Sequence, residues 1–123
     1  MTADEQGIIR KKGPPGRKFI ACDLDNTLAE YDRRIHGQDR IGAPIPPVLA
    51  MVKAAIARGD VVCIWTSRVV ERDTPARVYA AIHHWCEEHI GERLYVTALK
   101  HRYFHEFWDT KCMRIDVKPP VLA

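Results

Sequence analysis

The stretch Phe19-Ile20-Ala21-Cys22-Asp23-Leu24-Asp25-Asn26-Thr27 decides how this chain folds. It begins as a short apolar run and ends abruptly in acidic residues, as a buried strand does when its last residues reach a surface crevice. In parallel α/β sheets, ligands bind just beyond the carboxyl ends of the strands. The stretch therefore predicts a first strand that delivers Asp23 and Asp25 to a binding crevice.

Short apolar runs alternate with helical patterns along the rest of the chain. Pro47 suits the first turn of a helix that ends at Gly59. Thr74-Pro75 opens a second helix that reaches about Ile90, with Gly91 as its stop. Further strands are predicted at residues 61–65, 94–96, 104–108 and 113–117. This alternation predicts a three-layer, Rossmann-like α/β fold with a mainly parallel sheet and helices on its faces.

The length and composition of the chain restrict the classes of protein to which it could belong. Of the 123 residues, 46% are hydrophobic and 28% are charged, which is typical of one soluble globular domain. No stretch approaches the roughly 20 apolar residues that a membrane span needs. Residues 1–17 contain a Gly-Pro-Pro-Gly run and lack the apolar core of a signal peptide. We expect them to be a flexible leader before a single domain at residues 18–123.

The cysteines and the net charge exclude some kinds of site. The four cysteines are widely spaced and form no Cys-x-x-Cys pair, so neither a zinc cluster nor a dithiol redox site is predicted. We expect free thiols in a reducing cytoplasm. The net charge of +3 is compatible with an anionic substrate, but it does not identify nucleic acid as a partner.

Polar side chains follow three of the predicted strands. Asp23 and Asp25 follow the first strand, and Thr66 follows the second. Asp109 comes directly after a later strand. Two carboxylates two residues apart, completed by Asp109, form a hard oxygen site that suits Mg²⁺. A carboxylate can also attack phosphorus to form an acyl phosphate, which divides a difficult hydrolysis into two easier steps.

Phosphoryl transfer also needs donors and cations aimed at the equatorial oxygens of the phosphoryl group. Thr66, Ser67 and Lys100 are able to supply them. Asp25 is near enough in sequence to protonate the leaving oxygen and then activate water. Thr27 is placed to cap the turn that holds both aspartates. The pattern therefore indicates phosphate chemistry at the carboxyl ends of the strands.

The Asp23-Leu24-Asp25-Asn26-Thr27 segment after an apolar strand resembles the first motif of the haloacid dehalogenase-like (HAD) superfamily of aspartyl-nucleophile phosphatases. Ile64-Trp65-Thr66 is similar to the second motif, Lys100 to the third and Trp108-Asp109 to the fourth. The layout is closest to short phage and bacterial members with a minimal cap or none. It also resembles the phosphatase half of polynucleotide kinase-phosphatases, especially in Thr66-Ser67-Arg68.

The resemblance implies a catalytic centre with a magnesium cofactor. Asp23 would be the nucleophile and a magnesium ligand. Asp25 would be the general acid/base and would ligate the metal through its carbonyl. Asp109 would be the further metal ligand, and Lys100 would neutralise the nucleophile and the phosphate. The implied reaction is hydrolysis of a phosphomonoester through an aspartyl-phosphate on Asp23.

The resemblance also implies where substrate binds. Thr66 would hold the phosphoryl group, with Ser67 and Arg68 beside it, although a surface ion pair is an equal alternative for Arg68. An open, capless site admits a phosphorylated small molecule or a nucleic-acid 3′-phosphate end, or it is closed by a partner subunit in a homo-oligomer. The loop at residues 31–47 is the best local candidate for substrate contact, through Arg33, Arg34, His36 and Arg40.

Two departures from the family pattern support a second hypothesis. Short relatives often carry a second aspartate directly after the fourth-motif one, but this chain has Thr110 there. The interval from Lys100 to Asp109 is also short for the superfamily. These features motivate the alternative of a HAD-like binding or assembly protein that keeps the fold but has little or no catalytic activity.

Overall fold

Strands and helices alternate along residues 17–113 and 115, the part of the chain that the structure, a computed structural model, describes. The strands are β1 (Phe19–Asp23), β2 (Val61–Trp65), β3 (Val96–Thr97) and β4 (Glu106–Trp108). The helices are α1 (Pro46–Ala57) and α2 (Ala76–His89), and a single 3-10 turn at Ser67–Val69 follows β2. Apart from Arg17, the predicted leader lies outside the described residues.

The four strands form one parallel sheet in the order β3-β2-β1-β4. The predicted α/β class with a mainly parallel sheet is therefore confirmed. β1 pairs with β2 along its whole length and with β4 from Ile20 to Cys22. Because β1 has a neighbour on both sides, Asp23 at its carboxyl end lies inside the sheet rather than at its margin.

Both helices pack against one face of the sheet. Ile20 and Ile64, which point to this face from β1 and β2, belong to the same buried core as Val52 of α1 and Ile82 of α2. All four side chains are fully buried. Burial of each such aliphatic side chain contributes roughly 1.5–3 kcal/mol before the loss of chain entropy. The sheet is therefore held on this side by aliphatic packing.

The opposite face of the sheet is covered by aromatic residues. Phe19 stacks on the ring of His105, with 5.8 Å between ring centroids. Trp65 meets Phe107 edge to face at 5.2 Å, and Phe104 meets Phe107 in the same manner at 5.5 Å. The non-helical segment between β3 and β4 therefore covers the face that the two helices leave open.

The predicted element boundaries are close to the observed ones for most of the chain. Gly59 and Gly91 follow the helices with φ of 95° and 99°, a conformation that glycine adopts without strain. The predicted strand at 94–96 is displaced, because Leu94 is buried by core packing and pairing is confined to Val96–Thr97. None of the described helices has the length and apolar character that crossing a membrane requires.

The predicted fifth strand at 113–117 falls mostly outside the described residues. Met113 and Ile115 are described, and neither is in a strand. Both are highly exposed, at 80% and 72%. Their apolar character therefore does not reflect burial against the sheet.

Candidate functional site

A tight turn after β1 fixes the directions of the two aspartates. The backbone N–H groups of Leu28 and Ala29 donate to the Leu24 carbonyl at 3.0 and 2.9 Å. Asn26 has a φ of 64°, which asparagine tolerates better than most residues. Leu24 and Leu28 are fully buried and anchor the turn in the core. The aspartates on either side of Leu24 are therefore directed outward from a rigid turn.

A cavity of about 660 Å³ opens at the carboxyl ends of the strands, and we call it the carboxylate cavity. It brings together most of the side chains that the sequence predicts for the site. Those that line it are Asp23, Asp25, Thr66, Ser67, Arg68 and Asp109. The parallel sheet accounts for this convergence, because the residues follow neighbouring strands that end at one edge.

Asp23 is half-buried and lies among other carboxylates. Burial, together with the negative charges of Asp109 and Asp25, raises the pKa of Asp23 to about 6. Thr27 acts in the opposite direction, because its Oγ1 donates a hydrogen bond of 3.0 Å to Oδ2 of Asp23. A cation among these carboxylates would relieve their repulsion and favour the ionised form.

Thr110 stabilises the turn after β1, a role that the sequence does not predict. Its Oγ1 lies 3.2 Å from Oγ1 of Thr27 and donates to the carbonyl of Asn26 at 3.0 Å. Its backbone N–H also donates to Oγ1 of Thr27 at 3.3 Å. Thr110 thus connects the end of β4 to the hydroxyl that orients Asp23.

Arg68 holds Asp25 in a bidentate ion pair. Nε and Nη2 of Arg68 donate to the two carboxylate oxygens of Asp25, both at 2.8 Å. Nη1 donates to the carbonyls of Gly37 and Gln38 at 2.9 and 2.7 Å. Arg68 is only 8% exposed, so this is a nearly buried guanidinium with four of its five N–H groups hydrogen-bonded. Arg68 therefore joins the turn after β1 to the loop that covers it.

The two lysines near the site occupy different positions. Lys100 is not among the described residues that line the carboxylate cavity, and its Nζ lies 5.6 Å from the ring centroid of Phe107. Lys111 does line the cavity, and its backbone N–H donates to Oδ1 of Asp109 at 2.8 Å. Lys111 could have been identified as a site residue from the sequence, because it stands two residues after Asp109.

The loop after the turn contributes part of the expected basic surface. Arg33 and His36 line the carboxylate cavity together with Tyr31. Arg34 instead pairs with Asp32, which its side chain contacts at 3.0 and 3.1 Å. Of the basic residues predicted to contact substrate, Arg33 and His36 are therefore placed to do so.

The donors around Asp23 suit magnesium in type. Within residues 17–113 and 115, no group of three or more His, Cys, Asp or Glu side chains is placed to hold a metal ion. Both carboxylate oxygens of Asp25 face Arg68, so the side-chain ligands available from the predicted set are Asp23 and Asp109. Mg²⁺ commonly uses one or two carboxylates and completes its shell with water and substrate phosphate. The residues present therefore fit a Mg²⁺ site of low protein ligand number.

Comparison with known proteins identifies a similar fold. No protein-family model matches the chain, and no curated protein matches it. A solved structure from Bacteroides thetaiotaomicron, described as a conserved protein, superposes with a TM-score of 0.53. It is 24% identical, over 79% of this chain and 78% of that one. At this identity the likeness is one of fold alone.

Proposed function

We propose that this protein is a magnesium-dependent phosphatase of the HAD type that hydrolyses a phosphomonoester through an aspartyl-phosphate on Asp23. The observation that carries the proposal is the convergence of Asp23, Asp109 and Thr66 on one cavity at the carboxyl ends of parallel strands. Asp23 projects from a rigid turn, and Thr27 orients its carboxylate. A fixed carboxylate beside hydroxyl donors is the arrangement that nucleophilic attack on phosphorus requires.

The first step uses Asp23 as nucleophile. An Asp23 oxygen attacks phosphorus while the bond between phosphorus and the leaving oxygen breaks. The Thr66 hydroxyl oxygen accepts from the backbone N–H of Arg68 at 3.2 Å, so its hydrogen is available to a phosphoryl oxygen. Ser67 and Lys111 line the same cavity and add a donor and a positive charge. Bound Mg²⁺, held by Asp23, Asp109 and the carbonyl of Asp25, would offset the repulsion between carboxylate and phosphate.

The second role falls to Asp25, which protonates the leaving oxygen and then accepts a proton from the water that attacks phosphorus. In that second step the bond between phosphorus and the Asp23 oxygen breaks, which releases phosphate and restores the Asp23 carboxylate. In the structure both carboxylate oxygens of Asp25 accept hydrogen bonds from Arg68. The acid/base role therefore requires Asp25 to exchange at least one of these bonds for the substrate. We propose that substrate binding drives this exchange.

The ion pair between Asp25 and Arg68 also favours a second candidate, a binding or assembly protein with little turnover. If the pair stays closed, Asp25 serves only to hold the loop at Gly37 and Gln38. The position of Lys100 outside the cavity lining points the same way. In that case the protein would bind a phosphorylated ligand at the carboxylate cavity without hydrolysing it.

We further propose a cytoplasmic location. Cys22, Cys63 and Cys86 are free and buried, and Cys112 is free and exposed. An exposed free thiol is compatible with a reducing compartment. Labelling of Cys112 in protein from unbroken cells would test this, because an oxidising compartment would block the thiol.

Phosphate release decides between the two functions. Wild type and Asp23→Asn are compared with Mg²⁺ on p-nitrophenyl phosphate, nucleotides and 3′-phosphorylated oligonucleotides, and again after chelation of the metal. Asp73→Asn is the matched control, since this exposed aspartate does not line the carboxylate cavity. We expect Asp23→Asn to lose about 10³-fold or more of the activity while Asp73→Asn keeps it. Equal phosphate release by wild type and Asp23→Asn would overturn the phosphatase proposal.

A further inference from the structure

A second cavity adjoins the carboxylate cavity, and we call it the side cavity. Its volume is about 800 Å³, within the range of small-molecule sites. Val70 and Ala98 line both cavities, so the two spaces meet at these residues. The two cavities are therefore neighbours, and a ligand whose phosphate lies in the carboxylate cavity needs to pass only this shared wall to reach the side cavity.

The lining of the side cavity suits a flat aromatic ring. Tyr79 and Tyr95 contribute aromatic surface, and Val96 contributes aliphatic surface. Leu99 and Val70 are exposed at 66% and 63%, so they present apolar area to water at this position. Aromatic and aliphatic side chains around a cleft bind ring systems through stacking and removal of apolar area from water.

The charges at the side cavity favour an anionic ligand. Arg72 and Arg93 both line it, and neither forms an ion pair or a side-chain hydrogen bond within the described part of the chain. Glu71 is the acidic residue of the lining, which leaves one net positive charge. His83 adds none near neutral pH, because burial and the neighbouring Arg93 lower its pKa. The positive charge attracts a phosphorylated ligand at long range, and an arginine guanidinium in the lining can stack on an aromatic base once it is bound.

We propose that the side cavity is the subsite for the nucleobase of a nucleotide whose phosphate occupies the carboxylate cavity. The inference rests on the proposed function for the position of the phosphate. The shared wall favours a nucleotide over an aryl phosphate, because a nucleotide has a sugar between phosphorus and ring. In an aryl phosphate only the ester oxygen separates phosphorus from the ring, so the ring reaches less far toward the side cavity.

Binding of adenosine tests the subsite without any need for turnover. Amide NMR spectra of the Asp23→Asn protein are recorded with adenosine, with adenosine monophosphate and with ribose 5-phosphate. Adenosine is expected to shift amides at residues 69–72 and 95–99, and ribose 5-phosphate to shift those around Thr66 instead. Adenosine monophosphate is expected to shift both sets. Absence of adenosine shifts in the side cavity would overturn the proposal even if the protein proves to be a phosphatase.

Substrate preference tests the subsite in the active protein. Leu99→Asp places a charge in the side cavity at an exposed position, and Met51→Asp, at an exposed position on α1 that lines neither cavity, is the matched control. We expect Leu99→Asp to lower kcat/KM for adenosine monophosphate about tenfold and to leave that for ribose 5-phosphate within about twofold. Met51→Asp should change neither value.

Tyr79→Leu provides a second variant that keeps an apolar side chain but removes the stacking surface. It is expected to weaken the nucleotide selectively, as Leu99→Asp does. Equal losses on both substrates in both variants would overturn the nucleobase subsite. Absence of hydrolysis of every substrate by wild type would instead count against the phosphatase proposal, and the adenosine shifts would still decide whether the cavity binds a base.

Discussion

Asp23 and Asp25 lie two residues apart on one turn, yet the tertiary structure gives them opposite surroundings. Asp23 is half-buried beside Asp109, and its raised pKa reflects a carboxylate whose charge is poorly stabilised. Asp25 has both oxygens paired with the guanidinium of Arg68. The same residue type is therefore destabilised in its charged form at one position and anchored by an ion pair at the other.

This difference shows that the local motif does not by itself set the chemistry of each carboxylate. Thr27 and Asp109 determine the environment of Asp23, whereas Arg68 determines that of Asp25. Substitution of one of these partners should therefore change the surroundings of one aspartate and leave those of the other aspartate intact.

The largest effect is expected from Arg68→Ala. It removes four hydrogen bonds and leaves Asp25, whose side chain is only 21% exposed, without its partner. The free energy of unfolding should fall by about 3 kcal/mol, measured by urea denaturation. Arg68→Lys keeps the charge but not the fork of donors and should lose about half as much. A loss below about 1 kcal/mol for Arg68→Ala would show that the ion pair is not a structural anchor.

A smaller effect of opposite sign is expected from Asp23→Asn. Asp23 has a folded-state pKa of about 6 against 3.8 for the ordinary value, so its ionised form destabilises the fold above about pH 6. Without metal, the variant should be about 1–2 kcal/mol more stable than wild type at neutral pH. The gain is no larger because Asp23 is partly exposed and water screens part of the unfavourable electrostatic energy.

The stability difference between Asp23→Asn and wild type should depend on pH. As pH falls through about 6 toward 3.8, the folded state takes up a proton on Asp23. Wild type then regains the free energy of unfolding that the ionised carboxylate had cost. The difference in Tm between variant and wild type should therefore shrink over this window. Mg²⁺ should raise the Tm of wild type more than that of Asp23→Asn. A stability difference that does not change with pH would contradict the electrostatic explanation.

Substitution of Lys111 and of Lys100 tests which lysine contributes positive charge to the surroundings of Asp23. Lys111→Ala should raise KM for a phosphomonoester about tenfold, because Lys111 lines the carboxylate cavity. Lys100→Ala should have a smaller effect, since Nζ of Lys100 lies over Phe107. Steady-state kinetics on both variants make the comparison. A larger loss in Lys100→Ala would show that Lys100 moves to the carboxylates in the complex, as the HAD resemblance implies.

The smallest effect is expected from Thr110→Val, which removes the hydroxyl that contacts Thr27 and Asn26 while preserving the size of the side chain. The free energy of unfolding should fall by about 0.5–1.5 kcal/mol. Under the proposed function kcat should fall as well, because Thr27 would orient Asp23 less firmly. Thr110→Ser keeps the hydroxyl and should restore kcat. Failure of serine to restore it would assign Thr110 a packing role only.

Most of the fold was predictable because its signals are local. Apolar runs of strand length, helical spacing and glycine stops depend on neighbouring residues, and they placed both helices and the first two strands. The strand near residue 95 was displaced because Leu94 is buried without being in a strand. An apolar residue signals burial, but it does not tell which kind of contact buries it.

The sequence predicts which side chains line the site, but not which of them contact each other. Six side chains that follow the predicted strands meet in the carboxylate cavity because parallel strands end at one edge, and Arg33 and His36 of the predicted substrate loop line it too. Lys100 was placed by order along the chain, and the short segment between β3 and β4 turns its side chain toward Phe107. Phosphatase activity, magnesium binding and the substrate class stay predictions until the assays above are done.

The sequence by itself determined the α/β alternation and the turn that projects two aspartates from the end of β1. Only the tertiary structure decided what each aspartate meets. Arg68 reaches Asp25 across 43 positions, and Thr110 reaches Thr27 across 83. Such contacts depend on the course of loops and the direction of side chains over long separations. Periodicity and local propensity carry no information about those directions, so the partners of Asp23 and Asp25 emerge only when the sheet is assembled.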